Sequence, residues 1–330
     1  MTDALDIPRA RRMIFTRDEL ENREVAPSEL RAAGADEGGR WLRIQPGAYV
    51  DRAAFDALRP VDRHLIGVVA AIGRSRGSAG VVSHLSASVL HGLPQYRFRP
   101  RPISMTVPDA THPPSRAGLR RHTDELSDQD VVEIHGIRCT SLERTIFDVA
   151  RTEPFETSVP CADAALRRDV VRGREFDADA QGVWREALSR RAERARGRRG
   201  VRRASWVGAF ADGRAELPGE SVSRLQLHRL GFRDFDLQVA VEGPRGRDYF
   251  VDIGLPGAKT FWEFDGEGKY RDEALRNGRS LEDVLLAEKR REDWIRGRTR
   301  WGLCRGGFAD IASPERLAAR LAAFGVQPPR

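Results

Sequence analysis

The segment Lys259–Tyr270, which reads KTFWEFDGEGKY, constrains the fold more than any other part of the chain. Its aromatic residues are typical of a buried strand, yet Glu263 and Asp265 lie two residues apart and therefore share one face of that strand. Burying a charged group costs free energy unless a partner compensates it. These carboxylates must therefore either face water or hold a cation.

The residues before this segment supply two further carboxylates. The apolar spacing in Gly219–Gly231 predicts a helix with Glu220 in its first turn, and the runs Asp236–Val241 and Asp248–Ile253 predict two strands. Asp252 lies in the second of these strands. If that strand pairs with the next one, Asp252 faces Glu263 and Glu220 lies nearby.

Carboxylates this close repel one another unless a divalent cation lies among them. We therefore predict a Mg²⁺ or Mn²⁺ site with Asp252, Glu263 and Asp265 as ligands and Lys269 beside a bound phosphate. We expect Glu263→Gln to remove ion binding and to leave the fold intact. The alternative is that Asp265-Gly266 is simply a hairpin turn and that Glu263 faces solvent.

The charge of the chain favours a polyanionic partner, most often nucleic acid. The net charge is +7, and the sequence pI is about 9.9. Residues 151–215 carry 15 arginines against ten acidic residues, a net of +5. The candidate DNA contacts there are Arg198, Arg199, Arg202 and Arg203. Alternatively, these arginines form only a solvated helix face, as they do in many basic proteins that bind no nucleic acid.

The N-terminal residues have the outline of a winged helix-turn-helix. Thr16-Arg-Asp-Glu19 fits a capping box, Pro27 begins a second short helix, and two strands flank Pro46-Gly47. The candidate DNA contacts of this region are Arg31, Arg40 and Arg43. Any small α+β unit could share this outline.

We predict a mixed α/β, multi-domain chain. Its parts are a winged-helix-like region over 1–55, an α+β domain over 56–150, a helical arginine-rich connector over 151–215 and a restriction-endonuclease-like α/β domain over 216–330. The connector should hold helices near Glu156–Arg167 and Gln181–Arg196. His84, His91, His122 and His135 match no metal-ligand spacing, which favours structural roles.

The remaining composition bears on location. Three widely spaced cysteines without a CxxC pair disfavour a disulfide framework, and no run approaches the roughly 20 apolar residues of a membrane span. We expect a cytoplasmic protein with no membrane partner.

Residues 216–312 resemble the PD-(D/E)XK nuclease superfamily, and most closely the branch similar to very-short-patch-repair endonuclease. The matching residues are Asp252, then Glu263-Phe-Asp265-Gly266, then Lys269-Tyr270. The resemblance implies a Mg²⁺-dependent DNA endonuclease in which Asp252 and Glu263 hold the ion, with Glu220 or Asp265 assisting. One residue departs from the pattern, because Asp265 stands where the superfamily places its lysine, and Lys269 would have to substitute for it.

Residues 11–150 resemble the AbiEi-like antitoxins of type IV toxin–antitoxin systems. The matching runs are TRDEL at Thr16, PGAYV at Pro46, SHLSASVLHGLP at Ser83 and HGIRCTSLERTIFDVAR at His135. This resemblance implies a transcriptional repressor that opposes a nucleotidyltransferase toxin encoded nearby. Two functions therefore stay open, a DNA endonuclease and a DNA-binding regulator with an inactive nuclease-like domain. A module that binds only protein is a third.

Overall fold

The computed structural model describes residues 4–33, 39–73, 80–107, 115, 118–266 and 281–329. Helices and several sheets occur together, which confirms the predicted mixed α/β class. The chain divides into two compact units. One comprises Thr2–Glu153 with Gly197–Ala204, and the other comprises Pro154–Arg196 with Ser205–Arg330. None of the helices in the described ranges is long and apolar enough to cross a membrane.

The first unit begins with three short helices and a small sheet. The helices are α1 (Ile7–Arg12), α2 (Arg17–Glu21) and α3 (Pro27–Ala32), and the strands are β1 (Phe15–Thr16), β2 (Trp41–Gln45) and β3 (Ala48–Asp51). The antiparallel sheet has the order β1-β3-β2.

The local sequence signals for these elements are confirmed. Thr16 and Glu19 form the predicted capping box at the start of α2, and the hairpin turns at Pro46-Gly47. Leu20, Trp41 and Tyr49 pack in a small apolar core between the helices and the sheet.

The rest of this unit is a five-stranded sheet with helices. The strands are β4 (Val81–Val82), β5 (Ile103–Val107), β6 (Leu119–Thr123), β7 (Val131–Ile134) and β8 (Ile137–Thr140), in the order β6-β5-β4-β8-β7. The helices are α4 (Arg52–Asp56), α5 (Pro60–Gly73), α6 (His84–Leu90) and α7 (Leu142–Thr152). The main apolar core here also includes Leu5, Ile7 and Ala10, so the N-terminal residues are part of it.

The second unit starts with helices α8 (Phe155–Val170) and α9 (Ala178–Arg194), which the two predicted connector helices match closely. A short hairpin, β9 (Val171–Arg172) and β10 (Glu175–Phe176), joins them, and α10 (Val201–Phe210) follows. The predicted connector therefore shares a unit with the C-terminal sheet, except for Gly197–Ala204 and the residues before Pro154.

A four-stranded sheet forms the centre of this unit. Helix α11 (Pro218–Arg229) leads into β11 (Asp236–Val241), β12 (Tyr249–Leu255) and β13 (Thr260–Phe264), and α12 (Leu281–Thr299), β14 (Gly302–Gly306) and α13 (Pro314–Ala322) complete it. The order is β11-β12-β13-β14, with antiparallel pairs except for the parallel pair β13–β14.

Two buried contacts fix α11. A Cβ on Gly219 would lie 2.1 Å from the Phe264 ring, so only glycine allows α11 to approach β13 this closely. Arg224 of α11 donates two hydrogen bonds of 2.8 and 2.9 Å to the Asp163 carboxylate of α8, and both side chains are almost fully buried. The first turn of α11, with Glu220, is thereby fixed beside β13.

Candidate functional site

The strand register brings the predicted acidic residues together. Ile253 pairs with Trp262 in the antiparallel register of β12 and β13, so Asp252 and Glu263 are the next two residues of that register. Glu263 pairs in turn with Arg305 of β14. The pairing of the two acid-bearing strands, on which the predicted site depends, is therefore present.

The backbone departs from regular strand geometry at this position. The Asp252 carboxylate accepts a 2.8 Å hydrogen bond from the Phe264 backbone N–H, just beyond the last backbone pair between the two strands. On the other neighbouring strand, Gln238 has a left-handed backbone with φ +50°, which is uncommon for a residue other than glycine. Backbone strain of this kind is concentrated at functional sites.

Both oxygens of the Glu263 carboxylate are paired with arginines. Arg291 Nη2 of α12 lies 2.6 Å from Oε1, and Arg305 Nε of β14 lies 2.9 Å from Oε2. The Glu263 residue is buried. The prediction offered only water or a metal ion as the partner of this carboxylate, whereas two guanidinium groups of the same chain compensate it.

Glu288 of α12 extends this ion-pair network. Its Oε1 accepts a 3.0 Å hydrogen bond from Arg291 Nη1 and another from Arg305 Nη2. Burial alone would lower the pKa of Arg291, but the hydrogen bond and charge of Glu263, together with Glu288, outweigh burial and raise that pKa. Arg291 is therefore held firmly in its charged form.

A cavity of about 410 Å³ opens beside these residues. Among the described residues, six carboxylates line it: Glu216, Asp248, Asp252, Glu263, Asp265 and Glu288. Three arginines line it as well: Arg174, Arg291 and Arg305. Among these described lining residues the carboxylates outnumber the arginines by three, and Glu216 also pairs with Arg167, so the described part of the wall keeps a net negative charge with its ion pairs formed.

Arg174 belongs to the rim of the cavity. It lies in the turn between β9 and β10, is exposed, and its guanidinium lies 4.3 Å from the centre of the Phe250 ring. An exposed arginine stacked on an aromatic ring keeps its planar donors in a defined orientation. It could contact an anionic ligand that enters the cavity.

Glu220 lies behind the cavity wall rather than in it. Its Oε2 accepts hydrogen bonds of 2.8 Å from the Glu216 N–H and 3.1 Å from Gln238 Nε2. Glu216 and Gln238 both line the cavity. The position of Glu220 therefore suits it to orient those two residues.

The carboxylates suit a divalent ion in chemistry, but their partners compete with it. Mg²⁺ and Mn²⁺ prefer hard oxygen ligands, which Asp252, Glu263 and Asp265 supply. Over the described residues, however, no three histidine, cysteine, aspartate or glutamate side chains are arranged to hold a metal. An ion at Glu263 would have to displace at least one arginine. Lys269 lies outside the described residues.

The four predicted DNA-contacting arginines of residues 198–203 divide into two kinds. Arg198 pairs with Asp124, and Arg203 donates to the Glu153 carbonyl, so both hold the first unit together. The side chains of Arg199 and Arg202 are exposed. Arg199 and Arg202 can therefore contact a phosphate without losing an internal contact, whereas Arg198 and Arg203 would lose one.

The N-terminal arginines lie on the small three-stranded sheet and its helices. Arg31 of α3 and Arg43 of β2 are exposed. Arg40 is exposed too, lies 3.3 Å from the Asp51 carboxylate and lies over the Trp41 ring. All three are accessible to a ligand.

Three of the four histidines expected to be structural make internal contacts of the first unit, and the fourth, His135, is exposed. His84 and His122 stack with ring centres 3.6 Å apart, and His91 Nε2 lies 2.8 Å from the Thr140 carbonyl oxygen. Burial lowers the pKa of His84 to about 3, and burial together with His84 lowers that of His122 to about 4. Both rings are therefore neutral at physiological pH.

No protein-family model, curated protein or solved structure matches this chain. Sequence reasoning assigned no site role to seven polar residues of the cavity: Arg174, Glu216, Gln238, Asp248, Glu288, Arg291 and Arg305. The run Glu288-Lys-Arg-Arg, at helical spacing just before the last strand, was the one available signal for Arg291.

Proposed function

We propose that this protein binds double-stranded DNA and that its C-terminal sheet carries a Mg²⁺- or Mn²⁺-dependent site for hydrolysis of phosphodiester bonds. The single observation that carries the proposal is the described part of the cavity wall, where Asp252 and Glu263 are adjacent across two strands and the carboxylates exceed the arginines by three. The resemblance of residues 216–312 to the PD-(D/E)XK nucleases points the same way.

The charge balance explains why a cation is part of the proposal. A net negative cavity repels the phosphates of DNA unless a bound cation offsets it. Asp252, Glu263 and Asp265 are the residues that would hold the ion. A divalent ion at such a site polarises the phosphoryl oxygens and lowers the pKa of its bound water.

The other residues of the chain bind and orient the substrate in this proposal. Arg174 at the rim contacts a backbone phosphate, because a guanidinium pairs well with phosphate oxygens. Glu220 holds Gln238 at the wall beside Asp252. Lys269 is proposed to stabilise the charge that develops on the phosphate, as the resemblance implies.

Plasmid nicking in Mg²⁺ tests this function. Asp252→Asn keeps an oxygen that accepts the Phe264 N–H and removes one ligand charge, so we expect a folded variant whose nicking falls by roughly a hundredfold or more, typical of a lost electrostatic group. Asp179→Asn, at an exposed position of α9, is the matched control and should nick like wild type. Wild-type protein that does not nick, or Asp252→Asn protein that nicks normally, would reject the proposal.

A second candidate function is transcriptional repression by an AbiEi-like antitoxin, with a nucleotidyltransferase toxin as partner and an inactive nuclease-like domain. Two observations favour it. Helices α2 and α3 followed by the β2–β3 hairpin have the order expected of a winged helix-turn-helix. Arg291 and Arg305 also satisfy Glu263 without an ion.

Footprinting on the promoter of the protein's own gene tests this candidate. Because Leu5, Ile7 and Ala10 belong to the main apolar core, the full chain with Arg31→Ala and Arg43→Ala is a better probe than a truncation. We expect protection of the promoter by wild type and loss of sequence preference in the double variant, with Arg190→Ala of α9 as control. Equal protection of promoter and random DNA by wild type would exclude the repressor.

A further inference from the structure

We propose that Arg291 is an exchangeable phosphate-binding residue, which pairs with Glu263 in the free protein and moves to a DNA phosphate when the divalent ion binds. This inference rests on the proposed nuclease function and adds to it a residue and an order of events. Through this exchange of Arg291, the ion and the DNA bind cooperatively at the same cavity.

The contacts of Arg291 place it between the two ligands. Its Nη2 donates to Glu263 Oε1 and to the Phe250 carbonyl oxygen, both at 2.6 Å, and its Nη1 donates to Glu288 Oε1 at 3.0 Å. Arg291, Glu263 and Phe250 all line the cavity. The guanidinium group is therefore already at the surface that a DNA phosphate would approach.

An ion and the guanidinium group of Arg291 compete for the charge of Glu263 Oε1. An Mg²⁺ ion lies about 2.0–2.1 Å from its oxygen ligands. The Arg291 nitrogen lies 2.6 Å from the same oxygen, so an ion on the oxygen's other lone pair would be roughly 4 Å from it, a distance at which two positive charges in a partly buried site repel strongly. Ion binding at this oxygen therefore weakens the Arg291–Glu263 pair and favours the departure of Arg291.

Charge counting identifies Arg291, rather than Arg305, as the group that leaves. If an ion takes Glu263, Arg305 keeps Glu288 and also has Glu292 at 3.7 Å. Among the described carboxylates, Arg291 keeps only Glu288, which Arg305 shares. Arg305 also lies on the strand that pairs with Glu263, whereas Arg291 is on a helix. The surplus positive charge is therefore Arg291.

A phosphate is the acceptor that best replaces the lost carboxylate. Guanidinium groups form paired hydrogen bonds with phosphate oxygens as they do with carboxylates. Without DNA, the ion binds at the expense of the Arg291–Glu263 pair. With DNA present, the phosphate compensates Arg291, so each ligand strengthens the binding of the other by the same factor.

The test is a calorimetric Mn²⁺ titration of the full-length protein without DNA, followed by plasmid nicking. Arg291→Gln removes the competing charge, so we expect Mn²⁺ affinity to rise roughly fivefold or more, the lower end of typical coupling between sites, while nicking slows. Arg290→Gln, at the exposed neighbouring position of α12, should leave both unchanged. Arg291→Lys keeps a competing charge without the planar donors, so its Mn²⁺ affinity should stay near wild type while nicking slows.

The outcomes separate this inference from the proposed function. If wild type binds Mn²⁺ and folded Arg291→Gln protein binds it no more tightly, or nicks as fast as wild type, the exchange is refuted while the nuclease proposal stands. If only Arg291→Gln protein binds Mn²⁺, Arg291 blocks the site in the wild type, and the exchange and the wild-type ion site are both refuted. If neither protein binds Mn²⁺ or nicks, the nuclease proposal fails and the exchange fails with it.

Discussion

Replacing Glu263 with glutamine should destabilise the protein, although sequence reasoning expects an intact fold. The Glu263 side chain is 11% exposed, and those of its partners Arg291 and Arg305 are 19% and 21% exposed. Glutamine keeps the shape but leaves two guanidinium groups with Glu288 as their main shared carboxylate. Sequence reasoning treats the negative charge of Glu263 as unnecessary for the fold, whereas in the structure this charge compensates Arg291 and Arg305.

The magnitude follows from the burial of the pair. Removing one partner of a fully buried ion pair costs about 3–5 kcal/mol, whereas exposed pairs contribute about 0–1 kcal/mol. The Glu263 site lies closer to the buried limit, but the remaining partner Glu288 offsets part of the loss. We therefore expect the free energy of unfolding to fall by about 2–3 kcal/mol.

Urea denaturation in EDTA measures this loss, with the fluorescence of the fully buried Trp262 on β13 as one reporter and far-UV circular dichroism as a second. The control is Glu186→Gln, which breaks the exposed Arg190–Glu186 pair of α9 and should cost less than about 1 kcal/mol. The double variant Glu263→Gln, Arg291→Gln should recover part of the loss. A Glu263→Gln variant within about 0.5 kcal/mol of wild type would refute the role assigned to the arginine pairs.

Three further predictions concern stability and DNA binding. Asp163→Asn removes the charge from the buried bidentate pair between α8 and α11. It should lower the free energy of unfolding, measured by urea denaturation, by about 3–5 kcal/mol, and a loss below about 1 kcal/mol would contradict the role of this pair. Burial lowers the pKa of His64 to about 4 and that of His84 to about 3. As the pH falls below about 6.5, the unfolded chain therefore binds protons before the folded chain does. Each of these histidines should lower the free energy of unfolding by about 2 kcal/mol at pH 5, which urea midpoints at pH 7 and pH 5 would show. Arg199→Ala with Arg202→Ala should lower the log–log salt slope of duplex binding by roughly 0.9 per lost contact, and an unchanged slope would mark a solvated surface.

Local signals in the sequence were sufficient for the elements of the C-terminal sheet. The helix with Glu220 and the three strands that follow it lie close to their predicted bounds, because apolar spacing and glycine or proline turns fix such short-range structure. The pairing of β12 with β13, which brings Asp252 next to Glu263 in the register, also follows from adjacent strands, which need only a short connection.

Strict alternation along the strands was not sufficient for the site. It places Val251 and Phe261 on opposite faces, yet both belong to one apolar cluster. Two departures from regular strand geometry lie nearby, the left-handed backbone of Gln238 on β11 and the hydrogen bond from the Phe264 N–H to the Asp252 side chain. No local signal predicts a left-handed glutamine, since it depends on the surrounding tertiary structure.

The arginine partners of Glu263 depend on long-range register. Arg291 and Arg305 are 28 and 42 residues away in sequence. They reach Glu263 because β14 pairs in parallel with β13 after α12, and one residue of slip would turn Arg305 to the other face. A single sequence shows the acidic residues through their spacing but does not fix that register.

The central claim, a divalent ion held at Asp252 and Glu263, is tested most directly by calorimetric titration of Mn²⁺ into the full-length protein and its Asp252→Asn variant. The account predicts saturable binding to wild type at millimolar or lower Mn²⁺, and at least a tenfold loss of affinity in a variant that still melts cooperatively, because one charged oxygen ligand is removed. Wild-type protein that shows no saturable binding, or an Asp252→Asn variant that binds equally well, would contradict it.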